Sequence, residues 1–386
     1  MQKINILYVV TQLELGGAQT QLLSLIRHLD KDRYNLFLFT AGEGLLLDEA
    51  LSIGGLTVHR SKHLRRPIHF SQDILALMEI VRFIKKNKID IIHTHSSKAG
   101  ILGRWAGALA KVKIIVHTVH GWSFNDFQNP LLKKFYIALE HFSAKFTDAI
   151  IVVSHHDKQK GLKRRIGTEG KYSLVRYGVD RAKFGLEDRS LRKELGIGDA
   201  ELVIGMIACF KPQKAIEDFV RLAFLANPVL PQAKFLLVGD GVLRKKIEKL
   251  IVKFNLNSRF ILLGWRKDIP RVLSAMDVFV LTSLWEGLPI AVLEAMVSQV
   301  PVVATHTGGI SEVITEGETG FLVPCHDMAS MLEKMRILLQ NVPFKNRIIQ
   351  SAKQCMDEKF DTETMVKTHE DLYQQWIAAR GRVYDY

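Results

Sequence analysis

The stretch Ser283-Leu284-Trp285-Glu286-Gly287-Leu288-Pro289-Ile290-Ala291-Val292-Leu293-Glu294 sets two glutamates, with seven residues between them, across a turn that feeds a helix. The preceding run Asp277 to Thr282 has the apolar content of a buried strand. Gly287 and Pro289 supply the turn and the first helical position, and Ile290 to Val297 continue as helix. Glu286 is therefore expected at the mouth of a sheet. Glu294 is expected on a helix among Val292, Leu293 and Met296, where a carboxylate is costly unless hydrogen-bond donors meet it. A sugar diol would supply two.

Outward from this segment, short apolar runs alternate with longer amphipathic ones along the whole chain, the pattern of parallel strands joined by crossover helices. Seven strands are predicted in the first half, starting at Ile4, Tyr34, Leu56, Ile89, Lys113, Ala149 and Tyr172. Six are predicted in the second, starting at Leu202, Lys234, Arg259, Asp277, Val300 and Phe321. The expected fold is α/β, with two Rossmann-like, doubly wound domains facing a cleft. Residues 1–185 would form the first and 190–365 the second, with the boundary in the polar stretch Asp180 to Ala200. Residues 366–386 would be a closing helix that crosses back to the first domain. Ligands of open α/β sheets bind at the carboxyl ends of strands, so site residues are sought just after the strands.

A chain of 386 residues with 47% hydrophobic content is long enough for two domains with a core each. Cys209, Cys325 and Cys355 are scattered without CxxC spacing, which suggests neither a disulfide framework nor a zinc site and fits a reducing cytosol. Met1 leads almost at once into the strand pattern from Ile4, and no apolar stretch approaches the ~20 residues needed to span a bilayer. A cytoplasmic protein without export signal or membrane span is expected. The formal charge of +13 is uneven: residues 1–190 hold 29 Lys and Arg against 17 Asp and Glu, the remainder 24 against 23. A basic first half suits an anionic lipid surface or a diphosphate-bearing substrate. Nucleic acid ranks last as a partner, because no zinc finger, helix-turn-helix signal or RNP-like strand accompanies the charge.

Further candidates follow other strands. Leu15-Gly16-Gly17-Ala18-Gln19 precedes a helix pattern, and adjacent glycines with free amides at a helix start admit an anion. The spacing is not G-x-G-x-x-G, which disfavours a dinucleotide enzyme. His93-Thr94-His95-Ser96-Ser97-Lys98 and His117-Thr118-Val119-His120-Gly121 cluster histidines. His93 and His95 are expected on opposite strand faces with no acidic third ligand spaced nearby, so no metal site is assigned. Lys98 is read as either an anion contact or a structural residue. In the second half, Cys209-Phe210-Lys211-Pro212-Gln213-Lys214-Ala215, Val238-Gly239-Asp240-Gly241 and Gly264-Trp265-Arg266 follow strands, and Gly239 lets a nucleotide pass close to the backbone. Thr307-Gly308-Gly309 is read as a turn.

The glutamate pair with its Glu286-Gly287-Leu288-Pro289 start, together with Gly16-Gly17-Ala18, His120-Gly121 and Lys214, resembles the signature of the retaining GT-B glycosyltransferases of family GT4. The resemblance extends over most of the chain. It implies that Gly16 and Gly17 border the donor phosphate and acceptor, that His120 lies beside the transferred sugar, and that Lys214 grips the donor diphosphate. It further implies that Glu286 contacts the donor sugar, that Glu294 holds the ribose hydroxyls, that Arg266 lies where the base is read, and that Gly287, Leu288 and Pro289 offer amides. His120, Lys214 and Glu286 form the expected catalytic set. Cys209 departs from the pattern by standing where the family carries an arginine, and Lys211 is the candidate to supply the missing charge. Ala215 likewise replaces a common glycine.

The implied activity is retaining, metal-independent hexosyl transfer without a cofactor. The donor is a nucleotide-diphosphate sugar and the acceptor a saccharide or polyprenyl-diphosphate-linked saccharide, in cell-surface polysaccharide synthesis. The alternatives are a nucleotide-sugar 2-epimerase of the same fold and a catalytically silent nucleotide-sugar-binding protein, the latter supported by Cys209 alone. Phe127 to Phe146 carries Phe127, Leu131, Leu132, Phe135, Leu139 and Phe142 near helical spacing with Lys133, Lys134 and Lys145. It reads either as an internal helix with a wet basic face or as an amphipathic helix on an anionic membrane, at its cytoplasmic side.

Overall fold

The computed structural model describes residues 3–185 and 188–381. The chain divides into two compact units, one holding the chain up to Gly178 together with the stretch from Thr362, the other holding Val179–Asp361. The first contains β1 (Ile4–Val9), β2 (Tyr34–Ala41), β3 (Leu56–Ser61), β4 (Ile91–His95), β5 (Ile114–Val119), β6 (Ala149–Val152) and β7 (Tyr172–Leu174). They form one parallel sheet in the order β3-β2-β1-β4-β5-β6-β7. The second contains β8 (Leu202–Ile207), β9 (Ala233–Val238), β10 (Phe260–Gly264), β11 (Val278–Leu281), β12 (Val302–Thr305) and β13 (Phe321–Val323), parallel in the order β10-β9-β8-β11-β12-β13.

The strands are where the apolar runs place them. Crossover helices cover both faces of a parallel sheet, so a central strand such as β1 is enclosed on both sides and reads as a continuous run: Ile6, Leu7, Tyr8 and Val9 are all fully buried. Each strand order reverses once, between β1 and β4 and between β8 and β11. Connections leave those neighbours in opposite directions, and a crevice opens at their carboxyl ends.

The change of unit comes earlier than the composition suggests. The Val179 amide donates to the Phe360 carbonyl at 2.8 Å, and Val179 pairs with Asp361 as an isolated bridge. The charged stretch after Asp180 is therefore no linker: Arg181–Phe184 and Ser190–Glu194 are short helices, with Phe184 and Leu191 buried. The helix Thr362–Gly381 places Met365, Val366 and Tyr373 in the core of the first unit beside Leu22, Leu25 and Ile26 of the helix Gly17–His28. Among the described residues, no helix is long and apolar enough to cross a membrane.

Candidate active site

In the second unit the reversal of strand order sets the loop after β8 beside the loop after β11. The Lys214 ammonium forms an ion pair with the Glu286 carboxylate, the carboxylate being the more buried partner. Gln213 ties the two loops together: its side-chain amide donates to the Trp285 carbonyl at 2.8 Å and lies 3.4 Å from Glu286 Oε2, while its own carbonyl accepts from the Leu284 amide at 2.8 Å. From the end of β11, the Thr282 hydroxyl donates to the carbonyls of Lys214 and Ala215 at 2.9 and 3.1 Å. Gly308 closes the floor. It sits at φ +57°, and a Cβ there would meet the Glu286 carbonyl oxygen at 1.9 Å, so only glycine lets this loop approach.

Glu294 lies two turns along from Glu286, on the helix Ile290–Val297 among buried Val292, Leu293, Ala295 and Met296. Pro289 is the residue just before that helix rather than its first helical position. Among the described residues, no side chain or amide donates to the Glu294 carboxylate, and burial pushes its pKa up to about 7 against a weak opposing pull from Lys183. The amides of Gly287 and Leu288 likewise have no acceptor among the described residues, although the Leu288 side chain is buried. The Lys211 ammonium is also without a partner among them. A cation, two free amides and an unmet carboxylate thus surround one turn, a set able to hold an anion at one end and a diol at the other.

The other predicted residues of this unit frame the turn. Gly239 sits at φ +120°, and a Cβ there would meet the Ala208 carbonyl oxygen at 2.0 Å, so the loop after β9 packs against the end of β8 just ahead of Cys209. Arg266 is engaged by Asp268 in a two-bond fork of 2.8 and 2.6 Å.

In the first unit, Gly16 precedes the helix Gly17–His28, which has no side-chain cap and no acidic residue in its first turn. Its first amides therefore lack intrahelical partners. His120 stands at the end of β5. Its Nε2 meets His95 Nδ1 at 2.9 Å and its Nδ1 meets the Tyr177 hydroxyl at 2.7 Å. Both ring nitrogens are thus engaged within the protein, and burial lowers the imidazole pKa to about 3. His95, His120, Thr118, Arg176, Tyr177 and His369 line a small cavity with space for about one water (≈ 20 Å³) at the flank of the helix that follows Gly17.

One expectation about this unit needs correction, and the structural alternative for Lys98 has contacts to support it. His93 and His95 do not point to opposite faces: residues two apart on a strand share a face, and their rings lie 4.3 Å apart. His93 is bound to the Tyr373 hydroxyl at 2.6 Å and to the Thr118 hydroxyl at 2.7 Å. Lys98 pairs with Asp73 and donates to the Pro67 carbonyl at 2.5 Å, so it pins the loop before the helix Phe70–Lys86.

Residues 187–355 match the family model described as glycosyl transferases group 1, and residues 15–183 match the one described as glycosyltransferase family 4. The UDP-Gal:alpha-D-GlcNAc-diphosphoundecaprenol alpha-1,3-galactosyltransferase of Escherichia coli is 35% identical over 340 residues, covering 86% of this chain and 87% of its own. The chain is a group 1, family 4 glycosyltransferase. The N-acetyl-alpha-D-glucosaminyl L-malate synthase of Bacillus anthracis is 27% identical over 310 residues, 78% of each chain. HepE of Anabaena, solved with UDP and glucose, shares the fold at a TM-score of 0.84 with 21% identity, covering 96% of this chain and 99% of its own. The architecture is thus that of the GT-B glycosyltransferases.

Sequence reading of this glycosyltransferase missed Gln213, Gly308 and Tyr177. Gln213 is flanked by the lysines that drew attention, and Gly308 lay in a stretch taken for an ordinary turn. Tyr177 lies just beyond the end of β7 and 57 residues from the histidine it touches. Only the glycine left a sequence signal, as one of an adjacent pair.

Proposed function

We propose that the protein is a retaining, metal-independent hexosyltransferase. It moves a sugar from a nucleotide-diphosphate donor to a saccharide carried on a lipid diphosphate, and it needs no cofactor. The single observation behind this reading is the turn Glu286–Pro289, with Lys214 paired to Glu286 and with Lys211, two amides and the Glu294 carboxylate without partners among the described residues. The departing diphosphate gains negative charge as the glycosidic bond breaks, and fixed cations with oriented amides stabilise that charge without a metal. Lys214, Lys211 and the amides of Gly287 and Leu288 serve this end, with the helix start at Gly16 and Gly17 as a second anion site. Glu286, released from Lys214 by the diphosphate, accepts from sugar hydroxyls, and Glu294 accepts from the ribose diol. The acceptor oxygen bonds to the anomeric carbon on the face that the phosphate leaves, and the acceptor proton passes to the departing phosphate oxygen.

A thermal-shift panel of nucleotide diphosphates and their sugars tests the donor, because selective stabilisation follows affinity. The Escherichia coli relative is named for UDP-galactose and HepE was solved with UDP, so uridine compounds come first. No stabilisation by any member would remove the reading. Product configuration read by NMR and activity in chelator decide the finer points: an inverted anomeric centre, or loss of turnover with EDTA, would overturn each in turn.

Peripheral contact with an anionic membrane at the cytoplasmic side belongs to the same reading, and the helix Pro130–Ala144 supports it. This helix packs Ala144, Tyr136 and Ile137 against the core beside β5 and β6, yet it buries polar groups too. It turns Glu140 and Ser143 inward, where Glu140 forms a fully buried ion pair with Arg104 at 2.7 Å and Ser143 accepts from the Trp105 indole at 2.8 Å. Leu131, Phe135 and Phe142 are exposed by half or more, next to exposed Phe127, Lys134 and Lys145. A large apolar stripe edged with lysines fits the headgroup boundary of an anionic bilayer. Sedimentation with anionic but not neutral liposomes, reversed by salt and lost in Phe135→Ser, is expected; sedimentation with neither would end the idea.

A further inference from the structure

The first unit holds a buried group that this reading does not use. His95, at the end of β4, is enclosed; its Nδ1 meets His120 Nε2 at 2.9 Å, while its Nε2 is buried without a hydrogen-bond partner among the described residues. On the far side of the His120 ring, Nδ1 meets the Tyr177 hydroxyl at 2.7 Å. Burial and the neighbouring imidazoles lower the pKa of His95, and burial lowers that of His120, so each ring carries one proton near neutral pH.

Two arrangements fill the His95–His120 contact. In one, His95 Nδ1–H donates and His95 Nε2 is a bare lone pair. In the other, His120 Nε2–H donates and His95 carries a buried N–H with no acceptor among the described residues. Orphaned buried donors are rarer than under-used acceptors, which favours the first. The consequence passes through the ring: with Nε2 occupied as acceptor, His120 must hold its proton on Nδ1 and donate it to the Tyr177 oxygen. We infer that His95 is a positioning residue that fixes His120 in the tautomer protonated on Nδ1, so that His120 orients Tyr177 and does not serve as a base. The kinetic part of the test rests on the proposed transferase function and on the place beside the transferred sugar that the family resemblance implies for His120; the tautomer itself does not.

Long-range proton–nitrogen NMR of the uniformly labelled full chain at neutral pH reads the tautomer directly, in the wild type, His95→Asn and His95→Asp. An asparagine amide nitrogen keeps a donor close to where Nδ1 stood, and aspartate offers only an acceptor there. The His120 proton is expected on Nδ1 in the wild type and in His95→Asn, and on Nε2 or on both nitrogens in His95→Asp. In transfer assays His95→Asp should lose about 10–100-fold in kcat with little change in donor KM, as for other groups that orient a functional histidine, and His95→Asn should recover most of it. Where the aspartate variant does not fold, His95→Leu removes the donor without adding charge and should give a mixture of His120 tautomers. A wild-type His120 protonated on Nε2, or an unmoved Nδ1 proton in the aspartate or leucine variant, overturns the inference. A tautomer that switches as stated while kcat stays constant upholds the role of His95 and removes His120 from the reaction, so the two failures are distinct.

Discussion

In the first unit, His93, His95, His117, His120 and His369 are enclosed together and held neutral, chiefly by burial. In the second, the Lys214–Glu286 ion pair stands at one turn, and the Lys211 ammonium and the Glu294 carboxylate have no partner among the described residues. The histidines lie on or just after β4 and β5 and on the helix Thr362–Gly381, and the charged groups follow β8 and β11, so each group is near a reversal of strand order and topology alone does not separate them. The difference lies in what meets each polar atom. The histidines bind one another, tyrosines and threonines, and the result is a rigid neutral wall. The charged groups of the second unit are only partly satisfied by protein, which leaves capacity for a charged ligand.

The largest effect expected from this contrast is on acid stability. A histidine whose folded pKa lies below its unfolded value near 6.5 destabilises the fold once the unfolded chain begins to take up protons. Stability is therefore intact above pH 6.5 and falls as pH drops toward the folded values, which are about 3 for His120 and about 4 for His369. Each such residue removes up to about 1.4 kcal/mol per pH unit in that window, so the cluster costs several kcal/mol by pH 5. Hydrogen exchange resolved by segment should show the first unit losing protection between pH 6.5 and 5 while the second holds. Parallel loss in both units would break the comparison.

Next in size is Lys214→Ala. Removing one partner of a largely buried pair leaves Glu286 unmet, a change that typically costs 3–5 kcal/mol where burial is complete and less here. Loss of the diphosphate contact adds to it in binding. A rise in donor Kd of about 100-fold is expected by calorimetry, against about 10-fold for Lys211→Ala, because Lys211 has no partner among the described residues to strand. Equal losses would mean that the two lysines share the diphosphate and that the ion pair has no special part.

Glu294→Gln should separate stability from function in the second unit. A carboxyl whose folded pKa is raised to about 7 leaves the fold undisturbed below its ordinary value of 4.5 and destabilises it as pH rises between the two. Above pH 7 the neutral amide should therefore raise the melting temperature, by a gain of about 1–3 kcal/mol, while weakening nucleoside diphosphate binding. No stabilisation at pH 8 would show that the carboxylate finds adequate solvation without a ligand.

The chain made its fold legible because each buried strand is a run of apolar residues bounded by glycine or polar turns, as in Val278–Leu281 before Thr282. It made Lys214 and Glu286 legible through local pattern, but not that they pair, since 72 residues separate them. The helix Pro130–Ala144 was ambiguous for a physical reason: apolar residues lie on both sides of it, Tyr136 and Ile137 against the core and Leu131, Phe135 and Phe142 outward, and the buried Arg104–Glu140 pair that marks the inward side joins residues 36 apart. The unit boundary misled because Arg181–Phe184 and Ser190–Glu194 are helices of four and five residues, too short for a periodic signal.

The smallest expected effects concern the two turns proposed to meet the donor's phosphates. Gly16 has φ −152°, ordinary extended backbone, and a Cβ there would meet only the movable Gln19 side chain at 3.0 Å. Ala215 is left-handed at φ +42°, ψ +49°, a conformation that costs a non-glycine residue about 1 kcal/mol. Glycine thus stands where the backbone does not demand it, and alanine where it does. Gly16→Ala should leave stability within about 0.5 kcal/mol of wild type yet raise the donor KM, because the lost freedom is that of ligand approach. Ala215→Gly relieves the strain but gives up a buried methyl worth up to about 0.8 kcal/mol and adds entropy to the unfolded chain. The three terms nearly cancel, so a change within about 0.5 kcal/mol is expected by urea denaturation. A clear loss would show that methyl packing against the β8 end outweighs the backbone term, and that the alanine is there to hold the Lys214 loop in place.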